Sequence, residues 1–138
     1  MASVFTKIVK GEIPAYKIAE DDKFLAFLDI NPVAEGHTLV IPKQEIDYLF
    51  DIEDDLLADM IVFAKKVAKA LDKAIECKRV GVMVVGTEVP HAHIHLVPFK
   101  NEPQVCIVAP KLKFTDEEFK AIAAKIREYI PEEIAVKN

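Results

Sequence analysis

The chain has only two cysteines, Cys77 and Cys106, which lie far apart and form no Cys-x-x-Cys pair. They read as free thiols of a reducing cytoplasm rather than a disulfide. No apolar run approaches the roughly 20 residues of a membrane span. The opening stretch, MASVFTKIVKGEIPAYK, lacks the basic start and long apolar run of a secretory signal. A soluble, cytoplasmic protein with no membrane partner is the expectation. Net positive charge is missing too: Lys and Arg number 18 against 23 Asp and Glu, a formal charge of −5. That argues against nucleic acid as a partner. A small anionic ligand stays open, because a local cluster of donors can outweigh net charge. No repeat, low-complexity tract or linker breaks the sequence, so residues 1–138 are expected to form one domain with a real core. The content, 51% hydrophobic and 30% charged, is that of a globular chain.

Secondary structure follows from periodicity. FTKIVKGEIP predicts a short helical turn ending near Gly11, before Pro14. YKIAEDDKFLAFLD predicts two short strands around a turn at Glu20-Asp21-Asp22, and HTLVIP a buried strand. Leu56, Met60, Phe63, Val67, Leu71 and Ile75 recur every three or four residues, the stripe of a long central helix. Asp51, Asp54 and Asp55 cluster at its start, where the helix dipole favours negative charge. RVGVMVV and HIHLVPF add two strands. Thr115 and Glu118 form a capping box, with Phe114 against Phe119 as a hydrophobic staple, so a C-terminal helix runs to a stop at Pro131. Five strands in an antiparallel sheet with helices to one side make an α+β fold.

Three of the four histidines stand at alternate positions in VPHAHIHLVPF: His91, His93 and His95. On a strand they would share one face, about 6.5–7 Å apart along the chain. Ala92, Ile94, Leu96 and the flanking Val97 would back them as the apolar reverse face. A solvated polar face would ordinarily use Ser, Thr, Lys or Glu. Two chemical readings remain. His-x-His on a strand is a familiar metal-ligand spacing. Alternatively, imidazole is a nucleophile near neutral pH, and imidazolium neighbours can donate to phosphate oxygens and supply positive charge without a metal. Spacing alone does not separate the two.

The motif His91-Ala-His93-Ile-His95-Leu96-Val97 resembles that of the histidine triad family. KIVKGEIPAYKIAEDDKFLAFLDINPVAEGHTLVIPK resembles the family's first half. The likeness covers about residues 3–99; residues 100–138 form a C-terminal helical extension outside the motifs. It implies a HIT-like fold, a homodimer with a site in each subunit, and nucleotide chemistry at an α-phosphate. By motif position His93 is the implied nucleophile and His95 the contact to the α-phosphate, with His91 and His37 completing the histidine network. Val4, Phe5, Ile8, Phe27, Ile30 and Leu39 would line the nucleoside pocket, although any of them would also serve as core. Asp29 would accept the ribose hydroxyls, or simply form a turn before Asn31-Pro32. The implied substrates are purine nucleoside phosphoramidates or related conjugates. Dinucleoside polyphosphate hydrolysis and low-turnover nucleotide binding are the alternatives.

Two departures stand out. Many members hold a structural zinc with Cys-x-x-Cys and a later His; those places read Ser3, Thr6 and Glu45 here. No metal or other cofactor is therefore expected. Many members also carry Gly-Gln-x-Val before the triad, where this chain has Gly86-Thr87-Glu88-Val89. Thr87 offers a hydroxyl to the phosphate with a shorter reach.

Overall fold

Asp21 turns the first hairpin: its Oδ1 accepts the backbone N–H groups of Lys23 and Phe24, both at 2.8 Å. The turn joins β1, Lys17–Glu20, to β2, Phe24–Leu28, and β2 pairs onward with β3, Thr38–Pro42. The structure, a computed structural model, describes residues 2–137. β4, Arg79–Met83, and β5, Ile94–Phe99, complete a five-stranded antiparallel sheet of order β1-β2-β3-β5-β4. A short N-terminal helix α1, Val4–Val9, precedes the sheet, and Ser3 caps it by accepting from Thr6 N–H.

The central helix α2 spans Asp54–Ala74, and the C-terminal helix α3 spans Asp116–Arg127. Both pack on one face of the sheet, where Met60, Phe63, Val67 and Leu71 of α2 meet Ala26, Val40, Ile94 and Leu96. Ala64 and Ala70 join that stripe; their small side chains let the helix approach closely. α3 opens with the expected reciprocal cap: Glu118 N–H donates to Thr115 Oγ1 at 3.1 Å and Thr115 N–H to Glu118 Oε1 at 2.8 Å. The Phe114 and Phe119 rings meet edge-on at 5.5 Å.

The strand expected to carry all three histidines begins only at Ile94, so His91 and His93 precede it. β3 and β5 pair over Thr38↔Leu96, Leu39↔His95 and Val40↔Ile94 and no further. Pro42 has no N–H to extend the ladder, and its carbonyl is occupied by the His91 ring at 2.7 Å. Ala92 N–H turns instead to Ile46 O at 2.6 Å. Alternation persists even so: Ala92, Ile94 and Leu96 enter the helix-side core while the histidines face away from it. Val97, expected on that apolar side, lies on the other and packs with Val33 and Ala34. β4 likewise stops at Met83, short of the expected Val85, and residues 84–93 leave the sheet before β5.

Gly36 delivers His37 to β3. Its φ is +84°, and a Cβ there would lie 2.9 Å from Ile75 Cγ1. Gly36→Ala is expected to destabilise the fold by about 1–2 kcal/mol, read as a lower urea midpoint at unchanged slope.

Candidate active site

The sheet face turned away from α2 and α3 carries its own apolar cluster: Phe5, Ile8, Leu25, Phe27, Leu39 and Ile41. Alternation along β2 and β3 demands it, since Phe24, Ala26, Leu28 and Val40 point to the helices. This cluster floors a cavity of about 390 Å³. Val4, Phe5, Ile8, Phe27, Asp29, Ile30, Leu39 and Thr87, all expected to bind substrate, line it together with His93 and His95. Val4 and Ile30 stand at the rim, 43% and 66% exposed, and the four others among the apolar residues are buried. His37 and His91 do not reach the cavity; both are buried behind it.

The hydrogen bonds fix each ring's tautomer, because a backbone N–H can only donate and a carbonyl can only accept. His91 Nε2–H donates to Pro42 O at 2.7 Å, so its Nδ1 accepts from the Ser3 hydroxyl at 2.8 Å. His93 Nδ1–H donates to His91 O at 2.8 Å. Its Nε2 is thereby left with a lone pair. His37 Nδ1 accepts Val33 N–H at 3.1 Å, so its Nε2–H donates to His95 Nδ1 at 2.9 Å. His95 Nε2 must then carry a proton. Among the described residues it is the buried side-chain atom left without a partner. An orphaned buried donor costs about 1–3 kcal/mol and marks a place where a ligand acceptor belongs. The His93 and His95 rings meet edge-on at 4.9 Å, and both line the cavity.

Burial works against the imidazolium charge expected from the sequence at His95, His37 and His91. Burial pushes His95 down to about 4, with His37 and His93 adding to the effect. Burial also lowers His37, against the pull of Asp29, and lowers His91 against that of the Pro42 carbonyl. Neutral N–H groups are what these rings offer near pH 7. Asp29 forms the expected turn, Oδ1 accepting Asn31 N–H at 2.8 Å, while Oδ2 lies 3.6 Å from His37 Nε2 at the cavity wall. Ligand atoms of Asp29, His37 and His95 lie within 4.8 Å of one another. They suit a cation poorly, because both His37 nitrogens and His95 Nδ1 are already committed to directional hydrogen bonds.

Among known proteins, residues 10–102 match the HIT domain. The chain belongs to the histidine triad family. It is 43% identical over 117 residues to the adenosine 5′-monophosphoramidase HNT1 of Saccharomyces cerevisiae, covering 83% of this chain and 73% of that protein. A HIT-like protein of Borreliella burgdorferi is 37% identical over 131 residues, covering 89% and 94%. Among solved structures, a Hit-like protein involved in cell-cycle regulation from Bartonella henselae superposes with a TM-score of 0.82 at 33% identity, covering 93% and 96%. A Zn-bound histidine triad family protein from Mycobacterium smegmatis reaches 0.80 at 30% identity, covering 94% and 93%.

In this histidine triad chain the positions compared above with a zinc site form a hydrogen-bonded knot. Glu45 Oε1 accepts the Ser3 backbone N–H at 2.7 Å and the Thr6 hydroxyl at 2.5 Å. Those donors, Ser3 N–H foremost, hold Glu45 down to about 2. The knot ties α1 to the loop after β3 and gives His91 Nδ1 its partner. Sequence reasoning missed this link to Ser3, and it missed Ile107 and Lys111, which bring the C-terminal tail into the cavity wall. Lys111 stands in the plain sequence PKLK, where no periodicity or motif points to a site. A second cavity, of about 380 Å³, meets His93 and Thr87 from beside Tyr48 and Leu49.

Proposed function

We propose that this chain is a nucleotide hydrolase or transferase that cleaves nucleoside phosphoramidates, or related nucleotide conjugates, at the α-phosphate. The observation that carries the proposal is the pair His93 Nε2 and His95 Nε2–H, a free lone pair and an unpartnered proton donor on neighbouring rings that line one cavity. A phosphoryl centre needs that combination: a nucleophile, and a donor for the charge on its oxygens. The phosphoramidase activity named for the yeast relative supports the same reaction class.

In the first step the His93 Nε2 lone pair forms a bond to phosphorus as the P–N bond breaks. The amine leaves with that electron pair and takes a proton from water. In the second step water attacks phosphorus, its proton neutralising the hydroxide left by the first step. The His93–phosphorus bond breaks with its electron pair returning to Nε2, which releases a nucleoside monophosphate and restores His93. The His91 carbonyl holds the His93 Nδ1 proton throughout, which stabilises the positively charged nucleotidyl-imidazole. Val33 N–H and His37 act in series to keep the His95 proton on Nε2. The apolar floor of Phe5, Ile8, Phe27 and Leu39 suits a purine face without reading its edge, and Asp29 suits the ribose hydroxyls. No metal takes part in either step.

β4 is an edge strand with exposed Val82, and Val84 and Val85 follow it. Such an edge favours symmetric pairing, and we propose a cytoplasmic homodimer built there. Free Cys77 and Cys106 fit that compartment. Among the described residues no helix is long and apolar enough to cross a membrane.

The test is AMP release from adenosine 5′-phosphoramidate in excess EDTA, within a panel that includes dinucleoside polyphosphates. Release that survives chelation is expected, strongest with the phosphoramidate. A protein that binds AMP yet releases it from no member of the panel is a binding protein, and the proposal falls.

A further inference from the structure

We propose that Lys111, from the tail beyond the triad, binds the phosphate of the bound nucleotide and supplies a permanent positive charge at the cavity wall. The inference rests on the nucleotide reading above and adds a residue outside the segment that matches the HIT domain, residues 10–102.

The argument starts from charge. Asp29 and Glu88 put two carboxylates on the cavity wall. An α-phosphate entering it brings further negative charge. Burial lowers the protonation of His95, His37 and His91, so these three rings offer donors rather than countercharge. Lys111 is the sole Lys or Arg among the described residues lining this cavity. Without it, the ionisable side chains on this wall other than the histidines would all be carboxylates.

Its placement suits the task. The backbone N–H of Leu112 donates to Pro32 O at 2.8 Å, which pins this part of the tail against the loop that follows Asp29. The Lys111 ammonium donates to Ile107 O at 2.7 Å. That partner is neutral, so it orients the ammonium without cancelling its charge, and two of its three N–H donors stay available. Among the described residues no carboxylate pairs with Lys111. Its field acts on both His37 and His95, lowering their protonation. Lys111 and His95 line the same cavity. Lysine and orphan donor can grip the same phosphate, one by charge and one by direction.

The experiment is calorimetric binding of AMP and of adenosine to the full-length wild type, Lys111→Met and Lys111→Arg, each at low and high salt. Lys111→Met is expected to weaken AMP binding about 10- to 100-fold and to leave adenosine binding unchanged. Lys111→Arg should recover most of the loss, because the charge is kept. The salt dependence of AMP affinity should shrink in Lys111→Met. AMP affinity unchanged in Lys111→Met would overturn the inference. An equal loss for AMP and adenosine would overturn it too, because the tail would then be only a wall. A folded wild type that binds neither ligand would fail differently, removing the nucleotide reading itself.

Discussion

His93→Ala is expected to lower turnover of adenosine 5′-phosphoramidate by about 10⁴-fold or more, while AMP affinity shifts by less than about tenfold. The asymmetry follows from what His93 contributes. Its Nε2 makes no hydrogen bond that holds the fold; its one bond is Nδ1–H to His91 O. In the proposed complex the ground-state nucleotide is held by the apolar floor, Asp29, His95 and Lys111. The substitution keeps all of these and removes only the ring packed edge-on against Phe5 and His95. What disappears is the atom that forms the new bond. His93→Asn is the companion variant, since a carboxamide N–H can still reach the His91 carbonyl and keep the backbone in place. Both variants should be equally dead. A rate within tenfold of wild type in either would place the nucleophile elsewhere.

His95→Asn is expected to lower kcat by about 10²–10³-fold, the usual cost of one lost oxyanion donor. Asparagine keeps an acceptor near the place of Nδ1 for the His37 Nε2–H but lacks the atom that reaches into the cavity. His95→Gln, whose amide extends to about the place of Nε2, should recover part of the rate. The same residue governs acid stability. Its folded value of about 4 lies below the 6.5 of an unconstrained histidine. Between those two values the unfolded chain binds the proton and the folded chain does not. Stability is therefore flat above about pH 6.5 and falls as pH drops toward 4, by about 3 kcal/mol for His95 alone. His37 and His91 change in the same sense. Urea midpoints across this range check the sign, and His95→Asn should flatten the slope. Stability that rises on acidification would mean the rings are charged in the fold.

Legibility in the sequence tracked how local the cause was. The α3 cap and staple, the Asp21 turn and the α2 stripe depend on residues within a few positions of one another, and all could be read directly. The strand said to hold His91 and His93 could not be placed that way. Its early end depends on Pro42, which lies on a different strand and both lacks an N–H and lends its carbonyl to an imidazole. Protonation was misjudged for a similar reason. Three alternate histidines look like a cluster of cations, but burial in the fold works against charge on His91 and His95. The tautomers trace to Val33, Ser3 and Pro42, each brought to a histidine by the fold. The pocket residues were legible only through the likeness to a family, because apolar residues at those spacings also describe a core. Lys111 was out of reach on either basis.

The central claim is that His93 becomes covalently bonded to the nucleotide. The most direct measurement is mass spectrometry of the protein quenched in base during a single turnover of adenosine 5′-phosphoramidate, since a phosphorus–imidazole bond survives base and breaks in acid. The expected result is one adenylyl group on the peptide holding His93, present at early times, absent in His93→Ala, and decaying at the rate at which AMP appears. Full-rate AMP release with no adduct at any time, or an adduct on a different side chain, would contradict it.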